Sequence, residues 1–90
     1  MISEGCQILG SVENSILSGG VIVEEGAVIK DSIIMEDVVI KSGAKVYTSI
    51  IDSDCIIGEN STIGVEGAGK DKITVIAKGT DTGANAKIAD

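Results

Sequence analysis

The sequence predicts an all-β chain, a single-stranded parallel β-helix with triangular coils of about 17 residues, and three observations support this fold class. The hexapeptide VENSIL at residues 12–17 recurs as IKDSII at 29–34 and as VYTSII at 46–51. Aliphatic residues recur at spacings of six, five and six, as from Val23 to Ile29, Ile34 and Ile40. Glycine, Asn and Asp recur between them. A fixed period of this length indicates stacked coils.

Three aliphatic anchors in each period predict three short strands in each coil. Because side chains alternate along a strand, the residue two positions before each anchor also points inward. These inward positions hold Gly10, Ala27, Ala44 and Ser61 on one face, Ser15, Ser32 and Ser49 on the next, and Val21, Val38 and Cys55 on the third. The small residues there, and a single aromatic residue, Tyr47, predict a narrow core of Ile, Val and Ala.

The corners between strands are predicted from residues that tolerate positive φ or hydrogen-bond their own backbone. They are Gly26, Gly43 and Asn60 at one corner, Asn14, Asp31 and Thr48 at another, and Gly20, Asp37 and Asp54 at the third. Thr48 departs from this rule, and so does Leu9 when the period is extended back into the first coil. That extension places Cys6 one period before Val23.

The regular period predicts coils over residues 1–64, an inter-coil loop over 65–72, and a final strand with a C-terminal cap or tail over 73–90. The loop has the glycine-rich, charged composition of an exposed turn. Residues 64–71 also match most of a phosphate-binding loop through Gly64, Gly69 and Lys70, but Asp71 replaces the hydroxyl that binds magnesium. A phosphate-binding loop precedes a helix. Because a strand is predicted to follow here, we favour the inter-coil loop.

The composition limits the partners and the compartment. Fourteen carboxylates, seven lysines and no arginine give a net charge of −7, which disfavours binding to nucleic acid or anionic membranes. The longest purely apolar runs are three residues long, too short for a membrane span or a signal peptide. We therefore expect a soluble, cytoplasmic chain.

The two cysteines are not expected to form a disulfide. Cys6 and Cys55 are expected on different faces about three coils apart, which is too distant for a disulfide, and a reducing compartment suits free thiols.

Candidate catalytic and metal-binding side chains are few. The acidic residues that could bind a divalent ion lie at corners or outward positions, where solvated charge is expected: Glu24, Glu25, Glu36, Asp37, Asp52 and Asp54. Ser15, Ser32 and Ser49 form a buried column, but without a histidine in the sequence they are predicted to be small core residues rather than nucleophiles. We assign no catalytic, cofactor-binding or metal-binding residue.

Two of the three outer faces carry aliphatic columns. Ile16, Ile33 and Ile50 form one, Ile22, Val39 and Ile56 form the other, and the third face is mixed, with Ser11, Val28, Lys45 and Thr62. β-Branched residues favour strands in any case, but soluble monomers seldom expose contiguous apolar patches. We therefore predict that both aliphatic columns contact another domain or subunit.

The sequence IGENSTI at residues 57–63, an aliphatic anchor with a small residue four positions later, resembles the hexapeptide-repeat proteins, and this resemblance implies a left-handed coil. Acyltransferases of that family use a histidine as general base, and carbonic anhydrases of the same architecture bind zinc through histidines. The sequence has no histidine, so neither chemistry is expected of these 90 residues alone. A transferase subunit completed by a partner chain is one alternative, and a purely structural scaffold is another.

A closer resemblance covers nearly the whole chain. ISEGC at 2–6, VENSIL at 12–17, GAVIKDSIIM at 26–35 and KITVI at 72–76 resemble the C-terminal β-helix domain of bacterial glucose-1-phosphate adenylyltransferase, or ADP-glucose pyrophosphorylase. That family converts ATP and glucose 1-phosphate to ADP-glucose and diphosphate for glycogen biosynthesis, and its catalysis resides in a separate N-terminal nucleotidyltransferase domain.

For this chain the resemblance implies assembly with that domain and with other subunits, as a homo- or hetero-oligomer, and support for allosteric regulation. It implies no catalysis and no cofactor in the chain itself. Effectors of the family are anionic phosphates that arginine usually contacts. Since the sequence has no arginine, the resemblance implies either an effector site mainly elsewhere or a regulatory type of subunit.

Overall fold

The structure is a computed structural model that describes residues 4–65 and 73–88. Within those ranges the chain forms short strands and no helix. The strands are β1 (Gln7–Ile8), β2 (Ser11–Glu13), β3 (Ile16–Leu17), β4 (Ile22–Val23), β5 (Val28–Lys30), β6 (Ile33–Ile34), β7 (Val39–Ile40), β8 (Lys45–Tyr47), β9 (Ser49–Ile51), β10 (Ile56–Ile57), β11 (Thr62–Ile63), β12 (Thr74–Ile76) and β13 (Lys87–Ile88). None of these segments could cross a membrane as a helix.

The strands pair in parallel to form three sheets, which are the faces of the solenoid. Face I is β1-β4-β7-β10, face II is β2-β5-β8-β11-β13, and face III is β3-β6-β9-β12. Each strand pairs with the strand one coil away, so that Val39 has Ile22 and Ile56 as register partners, one period before and one period after it. The predicted all-β parallel β-helix with coils of about 17 residues is therefore confirmed.

The core is the narrow aliphatic column that the repeat predicts. The anchors Val23, Ile29, Ile34 and Ile40 are fully buried, and so are the small inward residues Ala27, Ala44 and Ser61. Fully burying one such aliphatic side chain contributes about 1.5–3 kcal/mol, so the stacked anchors supply most of the driving force for folding.

The corners also follow the prediction. All nine predicted corner residues have positive φ, including Thr48 at 46°.

The first coil differs from the prediction. Cys6 does not lie one period before Val23, because Ile8 pairs with Val23 and the first coil is therefore two residues shorter than the coils that follow. Only two residues join β1 and β2, whereas four residues join β4 and β5. The physical reason for the shorter corner is that one of the two residues is Gly10. A Cβ at Gly10 would overlap the carbonyl oxygen of Ala27 and lie 2.8 Å from that of Glu24, so the tight corner requires glycine.

The hydrogen bonds also correct the expected placement of the two cysteines. The Gln7 amide donates to Val21 O just as the Val39 amide donates to Cys55 O, so the two cysteines share one inward column rather than lying on different faces. Both thiols are free. They donate to equivalent carbonyls, Cys6 Sγ to Ser18 O at 3.1 Å and Cys55 Sγ to Ala77 O at 3.0 Å.

Residues 73–88 continue the solenoid on all three faces. β12 pairs with β9, Asp81 forms a bridge with Ile56, and β13 pairs with β11, all at the same sequence separation. That separation is one period plus the length of the predicted 65–72 loop, of which only Val65 lies within the described residues. The Asp81 bridge and β13 are elements that the sequence pattern did not predict.

Candidate interaction surfaces

The outer column of face III is the most exposed apolar surface in the described part of the chain. Ile16, Ile33 and Ile50 are in register, and Val75 on β12 extends their column. Ile16, Ile33 and Val75 are 46%, 39% and 65% exposed, while Ile50 is half-buried. Within residues 4–65 and 73–88, five of the seven exposed large hydrophobic residues belong to this face or its margins: Ile16, Ile33, Met35, Ile73 and Val75.

A shallow groove of about 360 Å³ runs beside this column. Aliphatic side chains of the column line one side, and the corner residues Asn14, Asp31 and Thr48 line the other, with Ile73 from the following coil. The groove is therefore mainly apolar with a polar margin, which suits a protein surface better than a small charged metabolite.

The predicted serine column is a hydrogen-bond ladder that joins successive coils. Ser32 Oγ donates to Lys30 O at 2.8 Å and accepts the Ser49 amide at 3.2 Å, and Ser15 Oγ in the same way donates to Glu13 O and accepts the Ser32 amide at 3.0 Å. Each hydroxyl thus satisfies a corner amide of the next coil, a role typical of serine next to a turn. Because each hydroxyl proton is held by a backbone carbonyl, these serines are structural.

Sequence reasoning assigned these serines to the core but missed the ladder itself. The signal was present, since a serine follows each residue of the Asn14, Asp31 and Thr48 corner. Ser61 also links two coils, but both of its bonds go to the next coil: it donates to Gly83 O at 2.9 Å and accepts the Ala86 amide at 3.1 Å.

Face I carries the second predicted column. Ile22, Val39 and Ile56 are in register and half-buried. Polar residues end the column on both sides, because Gln7 pairs with Ile22 and Asp81 bridges to Ile56.

Face II has a more polar outer column, Ser11, Val28, Lys45, Thr62 and Lys87. At its margin Lys30 Nζ lies 3.7 Å from Glu13 Oε2, and such an exposed pair contributes little to stability. The three faces therefore differ in chemistry, and faces I and III are the apolar ones.

Two of the acidic candidates accept hydrogen bonds from backbone amides. Glu24 Oε1 accepts the Ser42 amide at 3.1 Å, and Asp52 Oδ1 accepts the Ser53 amide at 2.7 Å. Across residues 4–65 and 73–88, no three His, Cys, Asp or Glu side chains are grouped as metal ligands. Of the residues that carry the phosphate-loop match, Gly64 is described, with a φ of 78° and packed against the Tyr47 carbonyl, while Gly69, Lys70 and Asp71 lie outside the described residues.

Comparison with known proteins adds two findings. A family model described as GlmU-like, C-terminal hexapeptide, matches residues 1–80. The glucose-1-phosphate adenylyltransferase of Thermosipho melanesiensis (strain DSM 12029 / CIP 104789 / BI429) is 60% identical over 30 residues, which are 33% of this chain and 7% of that protein. No solved structure matches the chain with significance. The aligned stretch is thus a small part of the curated relative's length.

Proposed function

The chain belongs to the GlmU-like C-terminal hexapeptide family, and from this premise we propose that it is an assembly domain of a glucose-1-phosphate adenylyltransferase-like protein. The whole protein would convert ATP and glucose 1-phosphate to ADP-glucose and diphosphate for glycogen biosynthesis in the cytoplasm. Catalysis would reside in a nucleotidyltransferase domain outside this chain. The β-helix would hold that domain and other subunits in place and support allosteric control.

The outer column of face III is the observation that carries this proposal. Four in-register aliphatic residues, with Met35 and Ile73 beside them, form a continuous apolar strip across four strands. Removing apolar surface from water is favourable by roughly 25 cal/mol per Å², so covering this strip stabilises an assembly. The two columns on faces III and I, Ile16, Ile33, Ile50, Ile22, Val39 and Ile56, are the proposed contacts.

The test mixes the chain with the separately expressed nucleotidyltransferase domain of the Thermosipho melanesiensis relative. Light scattering measures the mass of the mixture, and ADP-glucose synthesis measures its activity. We expect a stable complex and a changed rate of synthesis or response to phosphate effectors. Separate proteins with an unchanged rate would contradict the proposal.

Two variants locate the contact. Ile33→Lys should abolish the complex while leaving the β-sheet circular dichroism intact, because its side chain lies outside the core and is 39% exposed. Ser11→Lys is the matched control, since it adds the same charge at an exposed outward position of face II. Equal losses of binding in both variants would mean that face III is not the contact.

A further inference from the structure

We propose that the groove beside the outer column of face III receives a basic side chain, lysine or arginine, from the nucleotidyltransferase domain. The aliphatic stem of that side chain lies along the isoleucines of the column, and its charged group contacts the carboxylate of Asp31. This inference rests on the proposed assembly function and adds to it the chemistry by which the partner is recognised.

The groove has a single charge at its margin. Among the described residues that line it, Asp31 alone is charged, and Ile16, Ile33 and Ile50 line the apolar side. Lysine and arginine combine a long apolar stem with a terminal positive charge, so they bury their methylene groups against an apolar surface while the charged group stays at its edge. An apolar groove with a carboxylate at its margin is complementary to such a side chain.

The carboxylate of Asp31 is positioned but only partly satisfied. Its Oδ1 accepts the 2.7 Å hydrogen bond from Asn14 Nδ2, and its backbone amide donates to Glu13 O at 3.1 Å. Within residues 4–65 and 73–88, its Oδ2 accepts no hydrogen bond. Lys30, the preceding residue, lies on face II with its Nζ 3.7 Å from Glu13 Oε2. Asp31 therefore supplies an acceptor oxygen to a docked partner.

Covering the groove favours a positive group on the partner. Asp31 is exposed, so water solvates its second oxygen while face III is bare. A partner that packs on Ile33 removes part of that water, and a carboxylate that loses water without gaining a donor opposes binding. A positively charged donor forms a hydrogen bond roughly twice as strong as a neutral one. Lysine or arginine therefore compensates the carboxylate better than a neutral side chain does.

The charge of the whole chain acts in the same direction. A net charge of −7 attracts a positively charged partner surface at long range. This attraction does not select a site, whereas a contact with Asp31 does. A control that removes an equal charge outside the groove therefore separates the two effects.

Charge variants of the full chain test the contact with the nucleotidyltransferase domain of the Thermosipho melanesiensis relative, and calorimetric titration measures the Kd. Asp31→Asn should weaken binding about tenfold, because it removes the charge from a contact that docking desolvates. The local structure is kept, since Asn tolerates the positive φ of 52° and its Oδ1 can still accept the hydrogen bond from Asn14.

Asp54→Asn is the matched control. Asp54 is also an exposed corner residue with a positive φ, 61°, and the substitution removes the same charge, but Asp54 does not line the groove. This variant should bind within about threefold of wild type, the usual scatter of surface substitutions.

Small probes test the groove without the partner domain. Hexylguanidinium, 1-hexanol and hexanoate share a six-carbon chain and carry a positive, a neutral and a negative head group. In the ¹⁵N-labelled full chain we expect hexylguanidinium to shift the amide resonances of Ile33 and Ile50, and to bind about fivefold more tightly than the other two probes. Asp31→Asn should remove most of this preference, whereas Asp54→Asn should keep it.

The outcomes separate this inference from the proposed function. Equal binding of the domain by the Asp31→Asn and Asp54→Asn variants would overturn the inference and leave the assembly function standing. Hexylguanidinium that binds no more tightly than 1-hexanol, or that shifts no resonance of the groove, would also overturn it. A probe preference that depends on Asp31, in a chain that binds no nucleotidyltransferase domain, would support the groove as a site for basic side chains and contradict the assembly function.

Discussion

Asn14 Nδ2 donates a 2.7 Å hydrogen bond to Oδ1 of Asp31, the residue directly below it in the next coil. Both residues have positive φ, 48° and 52°, and Asn and Asp are the side chains that tolerate this region best after glycine. The third residue of the same corner is Thr48, with a φ of 46°. A β-branched residue is disfavoured there, so Thr48 interrupts an otherwise favourable side-chain ladder.

Replacing Thr48 by Asn should stabilise the chain by about 1 kcal/mol, because residues held in sparsely populated backbone regions cost about 1–3 kcal/mol. Asn also extends the Asn14–Asp31 ladder by one coil. The free energy of unfolding from urea titration measures the effect. Thr62→Asn is the control, since Thr62 lies in β11 and is absent from the positive-φ positions. A Thr48→Asn variant no more stable than wild type would contradict the expected strain.

The short first coil makes a second prediction. Gly10→Ala should destabilise the chain by about 2 kcal/mol or more, because the added Cβ meets two carbonyl oxygens that belong to the backbone of the next coil. Gly19→Ala is the matched control: its φ is not positive, and its added Cβ lies at an ordinary 3.5 Å from Glu4 O. We expect a change within about 0.5 kcal/mol for the control. Similar stabilities of the two variants would show that the first corner is not sterically closed.

The sequence predicted the repeated coils well because each position recurs in the same role. The nine corner residues and the buried anchors follow from the period, since a one-residue slip would expose the core. The first coil could not be predicted in the same way, because Gly10 suits both a small inward position and a tight two-residue corner. Only the hydrogen bonds to the second coil distinguish these roles, and they show the shorter coil.

The outer surface was predictable only in part, for a related reason. Alternation along the strands predicted the aliphatic columns, and it placed Ile33 and Val39 correctly on outer faces. The greater exposure of face III depends on how far neighbouring corners shield each column. The sequence pattern predicts which side chains point outward, but it does not predict how much of each one is shielded. Val75 and Asp81 join their columns across an insertion, so their register follows from strand pairing rather than from the regular period.

The serine ladder gives a third prediction. Ser32→Ala should cost about 1–3 kcal/mol, because it removes the acceptor of the buried Ser49 amide and the donor to Lys30 O. Amide hydrogen exchange should also become faster at Ser49 than at neighbouring buried positions. Ser53→Ala, at a half-buried corner outside the ladder, is the control and should change stability far less. Unchanged exchange at Ser49 would show that another group satisfies its amide.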